Sequence, residues 1–482
     1  MPILLNLQLL SGRAVCLEAQ EDETVQKVSQ RAQSALGVDK GILITGSGET
    51  LDGAATVKRS RLNGGDVLTL VKLSETQVAI SRNQSRPPEE RGSACAAILG
   101  DGSVVACGYV EFGGDHREVQ DRLRNVRHIQ ASSGAFAAIL ADGSVVTWGD
   151  ARSGGDSRAV QDQLQHVQHI QASEAAFAAI RADGSVVTWD APLWGGDSTA
   201  VQDRLQNVQS IQASDGAFAA IRADRSVVTW GHARHAGDST AVQDRLQHIL
   251  HIHSSARAFA AIRADGSVVT WGSPHSGGDS TAVQDQLRNV QCIQASQVTF
   301  AAIRVDGSVA TWGASDFGGD STAVQDRLRD VQYIQASLLA FAAILADGSV
   351  VTWGDSDFGG DSTVVQDRLR HVRHIQASEE AFAAIRADGS VVTWGNAESG
   401  GDSSTVKGQL QHVQHIQASE AAFAAIRADG SVVTWGKAES GGDSSAVQDQ
   451  LHNVKHIQAS FGIFSAIRAD GSVVTWGMCS SS

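Results

Sequence analysis

A tight turn, Asp142-Gly143, returns at a fixed interval of 41 residues through most of the chain. Its aspartate stands at Asp101, Asp142, Asp183, Asp224, Asp265, Asp306, Asp347, Asp388, Asp429 and Asp470, with no insertion or deletion anywhere in the series. A unit of this size cannot bury its own apolar face and must stack on its neighbours, so a period between about 20 and 50 residues marks a solenoid or a propeller. Any fold for this chain has to accommodate ten copies of one small unit.

Each unit reads as three short strands. In VQHIQAS, AFAAIRA and SVVTWG, apolar and β-branched residues are bounded by turn formers. The ADGS between the last two is a hairpin loop in which Gly supplies the positive φ. Two aromatics keep fixed places: the Phe column runs from Phe136 to Phe464 and the Trp column from Trp148 to Trp476. Such columns are packing between units, and truncating one buried aromatic typically costs ~3–5 kcal/mol. After Trp-Gly comes a loop and then GGDSTAVQDRL, where Thr281 and Gln284 have the spacing of a capping box for a turn or two of helix.

The first unit departs from this frame. Cys95 stands where the Phe belongs and Cys107 where the Trp belongs, and no VxxIQAS run precedes them in register. A unit without both packing aromatics reads as a cap with a single neighbour. No VxxIQAS run follows Trp476 either, and ten units exceed the four to eight blades usual in propellers. A closed β-propeller and an open, curved array both remain compatible with the pattern.

The closing hairpin, the Gly-rich loop, the Leu and the Val-x-x-Ile-x-Ala strand resemble the repeats of the regulator of chromosome condensation family across residues 94–477. That resemblance implies a β-propeller, although the family usually has seven blades and a longer repeat. Ahead of the array, residues 1–73 alternate as ILLNLQLL and AVCLEA around the Ser11-Gly12 turn. They continue as an amphipathic helix with Val25, Val28, Ala32 and Leu36 on one face, then GILIT, then VLTLVKL. This order, with Leu10-Ser11-Gly12, Leu51-Asp52-Gly53 and Leu68 to Val71, resembles ubiquitin and its fused relatives. The resemblance implies a β-grasp fold with an apolar recognition patch at Leu10, Ile44 and Val71. Lys72-Leu73-Ser74-Glu75 replaces the family's terminal Gly-Gly, so an integrated recognition module is implied rather than a conjugated one.

The chain is therefore expected to be mainly β: a ubiquitin-like domain at 1–73, a Pro87-Pro88 linker at 74–93, the repeat array at 94–477 and a tail at 478–482. The formal charge is −15, and residues 1–73 are balanced, so the excess acid belongs to the repeats. An acidic array gains nothing by counterion release from nucleic acid or an anionic membrane, and neither is expected as a partner. No basic leader and no apolar run of membrane length is present, and the five cysteines show no framework spacing and no CxxC pair. Together these suggest a soluble intracellular protein, cytoplasmic or nuclear, without structural bridges.

Chemistry is sparse. Histidines recur at one strand position (His128, His169, His251, His374, His415, His456), which reads as strand surface rather than metal ligation. Asp355, Asp357 and Asp361 lack the full oxygen pattern of a calcium loop. No phosphate loop or nucleophile–base pair stands out, so no enzyme, metal or cofactor is expected.

What varies between copies is the functional signal. The four residues after Trp-Gly read YVEF, DARS, APLW, HARH, SPHS, ASDF, DSDF, NAES and KAES, and a second variable pair lies between IQAS and the Phe strand. Alternating strand direction puts both on one rim, with the constant ADGS turns on the other. The anchors expected there are Tyr109, Phe112, Trp194, Phe317 and Phe358, with Arg152, Arg234 and His235 as polar contacts. The alternative is neutral drift in solvated loops. The expected function is a non-catalytic scaffold or adaptor for a protein partner, connected to the ubiquitin system. The resemblances also raise kinship with HECT-type ubiquitin ligases, although the chain has no room for a ligase domain after Ser482. Guanine-nucleotide exchange would need a projecting loop, and the register never breaks; ultraviolet sensing would need Trp-Arg clusters that are absent.

Overall fold

A computed structural model describes residues 2–9, 14–36, 41–45, 51, 55–60, 62, 66–72, 78–82, 93–99, 101–460, 462–470 and 472–477. The N-terminal segment forms strands β1 (Pro2–Leu9) and β2 (Ala14–Gln20), helix α1 (Val25–Leu36), and strands β3 (Gly41–Thr45) and β4 (Val67–Lys72). The sheet order is β2-β1-β4-β3, with β1 and β4 parallel in the centre and the outer pairs antiparallel. This is the β-grasp arrangement. The helix begins where Thr24 Oγ1 accepts from the Lys27 amide, and its Val25, Val28 and Ala32 join Leu5, Leu7, Leu43 and Leu68 in one core.

The repeats form ten three-stranded antiparallel sheets, each with its strands side by side in chain order. Each is a blade, and the first strand of a blade contacts the first strand of the next. These strands are Val78–Arg82, Val126–Ala131, Val167–Ala172, Val208–Ala213, Ile249–Ser254, Val290–Ala295, Val331–Ala336, Val372–Ala377, Val413–Ala418 and Val454–Ser460. The last of them returns to contact the first, Val454–Ser460 against Val78–Arg82. The array is a closed ten-bladed ring, not an open arc.

Two expectations are corrected here. The segment expected as a linker contains Val78–Arg82, and this strand pairs with Ser93–Ile98 to complete blade one. Blade one therefore does not lack its inner strand. Ser81 Oγ donates to the Phe112 carbonyl at 2.5 Å, just as Ser132 Oγ donates to the Ser153 carbonyl in blade two. Twelve residues separate Ser81 from Ala94 where two separate Ser132 from Ala135, and that insertion carries the strand out of register with the repeat.

The expected capping box is also absent. DSTAVQDR forms 3-10 turns with no side-chain cap, and Asp279 Oδ1 accepts from the Thr281 amide instead. Gln284 turns away from the helix start, donating through Nε2 to the Val268 carbonyl and accepting from Ser280 Oγ. The glutamine thus ties the connection to the third strand of its own blade.

The aromatic columns close the seams between blades. In blades two to ten each Phe stacks on the Trp directly opposite it, with ring centroids 5.1–5.2 Å apart. Each indole Nε1 then donates to a carbonyl in the loop of the preceding blade at 2.9–3.1 Å, from Trp148 to Gly113 through Trp476 to Gly441. The same loop residue lies flat on the Phe ring: a Cβ added to Gly154 would sit 2.3 Å from Phe177, and φ there is +101°. Indole bond and ring contact together make that glycine column part of every latch.

Candidate protein-interaction rim

Both variable segments emerge on one rim, as strand direction requires. The Ser of each IQAS donates across to the loop after Trp-Gly at 2.5–3.0 Å, for example Ser173 Oγ to the Trp194 carbonyl and Ser419 Oγ to the Ser440 carbonyl. In blade six Thr299 makes the equivalent bond to the Phe317 carbonyl. The inner pair is fixed further by a belt of backbone bonds that links successive blades. Ser133 N donates to Glu174 O, Glu174 N to Asp215 O, and so on through Ala256, Gln297, Leu338 and Glu379 to Glu420, at 2.8–3.1 Å. Each step joins one blade to the next, so the rim has a rigid floor from blade two to blade nine.

The outer loops are short helical turns closed by a left-handed residue, mostly Gly. That geometry points the second and third loop residues outward and turns the fourth inward. Arg152 and Arg234 are third residues and are exposed. Tyr109, a first residue, is 42% exposed and meets Phe112 edge-on at 6.3 Å. The remaining expected anchors are fourth residues. Phe112 is buried at 3% exposure, and Phe317 and Phe358 are half-buried.

Trp194, expected to be the exposed case, is half-buried against the core cluster that contains Phe218 and Trp230 and meets His235 edge-on at 5.4 Å. Its neighbour Leu193 is the exposed one, at 72%. These four aromatics are corrected from rim anchors to loop-packing residues. The physical reason is the three-residue turn, whose last side chain must face the blade before the left-handed residue reverses the chain. The Gly-Gly that follows the fourth position was the available signal.

The outward third positions carry a pattern that reading for aromatics missed. From blade two to blade five they are Arg152, Leu193, Arg234 and His275; from blade six to blade nine they are Asp316, Asp357, Glu398 and Glu439, and all are exposed. At this position blades two to five carry Arg, Leu or His and blades six to nine carry only Asp or Glu, although Asp150, Glu174 and Asp215 place acid elsewhere on the first half. The belt adds Glu379 and Glu420 to the acidic half, beside a hollow of roughly 360 Å³ that Gln297 and Leu338 also line.

Titration on this rim is shaped by burial. Desolvation, with the neighbouring Glu174 charge, pushes the Asp215 carboxyl up to about 7, against a lowering pull from Arg257. Burial lowers His235, and Arg257 and His232 add to the effect. On the inner wall burial drives His128 down to about 4 and His251 to about 3, so these side chains are neutral at pH 7. Among the described residues no group of His, Cys, Asp or Glu is placed to hold a metal ion, and no helix is long and apolar enough to cross a membrane.

The β-grasp patch is only partly described. Leu10 lies outside the described residues. Ile44 pairs with Thr69 and Val71 with Ile42 in the antiparallel ladder of β3 and β4. Strand β2 contacts the first strand of blade six, and Cys16 Sγ donates to the Gln291 carbonyl at 3.2 Å. Blade six stands half a ring from blade one, where the chain enters the propeller, so the small domain reaches across the central opening.

No family model and no curated protein matches this chain. Among solved structures it is similar to the computationally designed Ika8 protein at 16% identity, covering 65% of this chain and 96% of that one, with a TM-score of 0.31. It is similar to Prp20p from Saccharomyces cerevisiae at 16% identity, covering 55% and 82%, with a TM-score of 0.32. Human WBSCR16 matches at 12% identity over 68% and 78%, with a TM-score of 0.30. TM-scores this low bear on neither fold nor function, and the ten-bladed ring rests on its own strand pairing.

Proposed function

We propose that this chain is a non-catalytic interaction scaffold whose variable rim binds a protein partner, with the β-grasp domain linking it to components of the ubiquitin system. The observation that carries the reading is the contrast between frame and loops. Nine indole latches and a continuous backbone belt hold the rim rigid, while the outward third position of each loop changes from blade to blade and is acidic throughout blades six to nine. A preorganised surface loses little entropy on binding, and charge of one sign along an arc steers and orients a partner. The acidic half, blades six to nine, favours a partner with a basic segment. The other half, with Leu193 exposed, favours a mixed contact.

The test is comparative affinity capture with the full chain. One bait is native, and the other has all nine outer loops set to Asn-Ala-Ser-Ser, which follows blade eight's Asn396 to Ser399 except that the charged third position is removed. The expected result is a protein held by the native rim and lost from the levelled one, with binding that weakens as salt rises. A third bait with Asp316, Asp357, Glu398 and Glu439 changed to Ser should lose the salt dependence. Equal capture by all three baits refutes the rim and leaves residues 1–73 as the carrier of function.

A further inference from the structure

We propose that Cys95 and Cys107 form a reversible disulfide that staples blade one at the seam where the ring closes. The two residues are direct cross-strand partners in the pairing of Ser93–Ile98 with Val104–Gly108. Their sulfurs touch at 2.6 Å. Directly opposed residues in an antiparallel pair have Cα atoms about 4.5–5.5 Å apart, within the span a disulfide bridges. The sequence offered no such pairing, because eleven positions between two cysteines match no known framework; only the hairpin register brings them together.

The site occupies a telling place in the repeat. Cys95–Cys107 holds the register position of Phe136–Trp148 in blade two and of the stacked pair in every later blade. Those pairs latch their blade to the one before through the indole N–H. Blade one has no indole to make that bond. Its two outer strands are therefore held without the aromatic stack just where the ring depends on a contact between chain ends.

The two thiols also differ in access, which sets the order of chemistry. Cys107 is partly exposed and Cys95 is buried at 2% exposure. With a small disulfide such as oxidised glutathione as oxidant, the Cys107 thiolate attacks one glutathione sulfur. The glutathione S–S bond breaks, a Cys107–glutathione bond forms, and one glutathione leaves as a thiolate that takes up a proton. Cys95 then loses its proton and attacks the Cys107 sulfur, expelling the second glutathione. Two cysteine thiols are oxidised and one glutathione disulfide is reduced to two thiols. Excess reduced glutathione runs the same steps backwards.

The experiment equilibrates the full chain in glutathione buffers of graded ratio, quenches in acid, alkylates, and maps each cysteine by mass spectrometry. The expected result is a single transition in which Cys95 and Cys107 lose alkylation together as one linked peptide pair. Hydrogen exchange should slow about tenfold over residues 93–98 and 104–108 alone. Cys95→Ser should trap glutathione on Cys107, and Cys107→Ser should leave Cys95 unmodified. A second thiol pair gives an internal contrast: Cys16 and Cys292 lie close together at the domain contact, and their interaction raises Cys16 and lowers Cys292. Three outcomes in the unsubstituted chain overturn the proposal: glutathione persisting on Cys107, both thiols alkylated at the most oxidising ratio, or Cys95 bridged to Cys16 or Cys292. None of them depends on a variant folding.

Discussion

Nine seams of this ring and the tenth are built differently. Between blades one and ten in chain order, every junction has a Phe–Trp stack, an indole bond to the previous loop and a small residue pressed on the Phe ring. At the junction that returns blade ten to blade one, strand meets strand, while two cysteines occupy the aromatic positions. The difference teaches that a repeated motif can tolerate one seam packed by other residues while nine keep the aromatic stack. At the tenth, Cys95 and Cys107 pair in place of Phe and Trp, so the seam has neither ring stack nor indole.

The largest test of this contrast deletes a Phe. Phe300 is fully buried, stacked at 5.2 Å on Trp312, with Gly277 against its ring. Phe300→Ala should cost ~3–5 kcal/mol, while Cys95→Ala, which removes one sulfur from a position with no stack, should stay within ~1 kcal/mol. Urea unfolding of the two variants measures the gap, and equal losses would show that the closing seam is packed as firmly as the others.

The next effect isolates the indole bond. Trp353→Phe keeps an aromatic ring on Phe341 but strands the Gly318 carbonyl, which now accepts at 3.1 Å. A buried acceptor without a donor costs ~1–3 kcal/mol. Cys107→Trp at the other seam should return none of this, since Cys95 directly opposite offers no ring to stack on. Melting temperatures of both variants check the pair of expectations.

Much of the frame was legible because period, turn chemistry and strand alternation all agree in every copy. Asp142, Phe136 and Trp148 recur without a slip from blade two to blade ten, and Gly143 with the one exception of Arg225, so one unit read well gives nine. Blade one escaped because Val78 to Ser81, its V-A-I-S counterpart of I-Q-A-S, lies twelve residues from Ala94 instead of two from its hairpin. A pattern in fixed register cannot show a strand moved by an insertion. The rim was legible as a surface but not in its anchors: loop sequence marks Trp194 as unusual, whereas only the turn geometry reveals that it faces inward and Leu193 outward. The charge division between Arg152 and Glu439 was present in the sequence all along, and needed the third loop position singled out before it could be seen.

A smaller effect lies at the seam between blades two and three. Asp190 holds a place that is otherwise Gly, at φ +76°, and its Oδ2 has no hydrogen-bond partner. Burial, against a hydrogen bond from the Gly154 amide and with repulsion from Asp150 and Asp156, raises its carboxyl to about 6. A carboxyl raised above its ordinary 3.8 binds more protons folded than unfolded, so its penalty is absent below about pH 4, grows as pH rises, and is complete above about pH 6. Asp190→Gly should stabilise the ring by ~1–2 kcal/mol from backbone strain alone, with a further gain at pH 7 that vanishes at pH 4. Melting at the two pH values separates strain from charge; a gain that does not change with pH would assign the whole effect to φ.

The smallest effect concerns the opposite rim, where each seam has a second and simpler bond. The turn residue after the ADGS aspartate accepts from the first amide of the next blade at 2.8–2.9 Å, from Val126 N to Gly102 O through Val454 N to Gly430 O. Eight described turns use Gly at φ 74–81°, and blade four uses Arg225 at 64°. Its bond from Ile249 N is 2.9 Å, and Arg222 pairs with Asp224 as its counterparts do elsewhere, so the seam bond is intact and only the backbone differs. Arg225→Gly should therefore gain ~1 kcal/mol, with hydrogen exchange at the Ile249 amide slowed no more than the global gain requires. Faster exchange there would mean that the Arg225 side chain shields the bond, and that this rim, like the other, depends on what its loops carry.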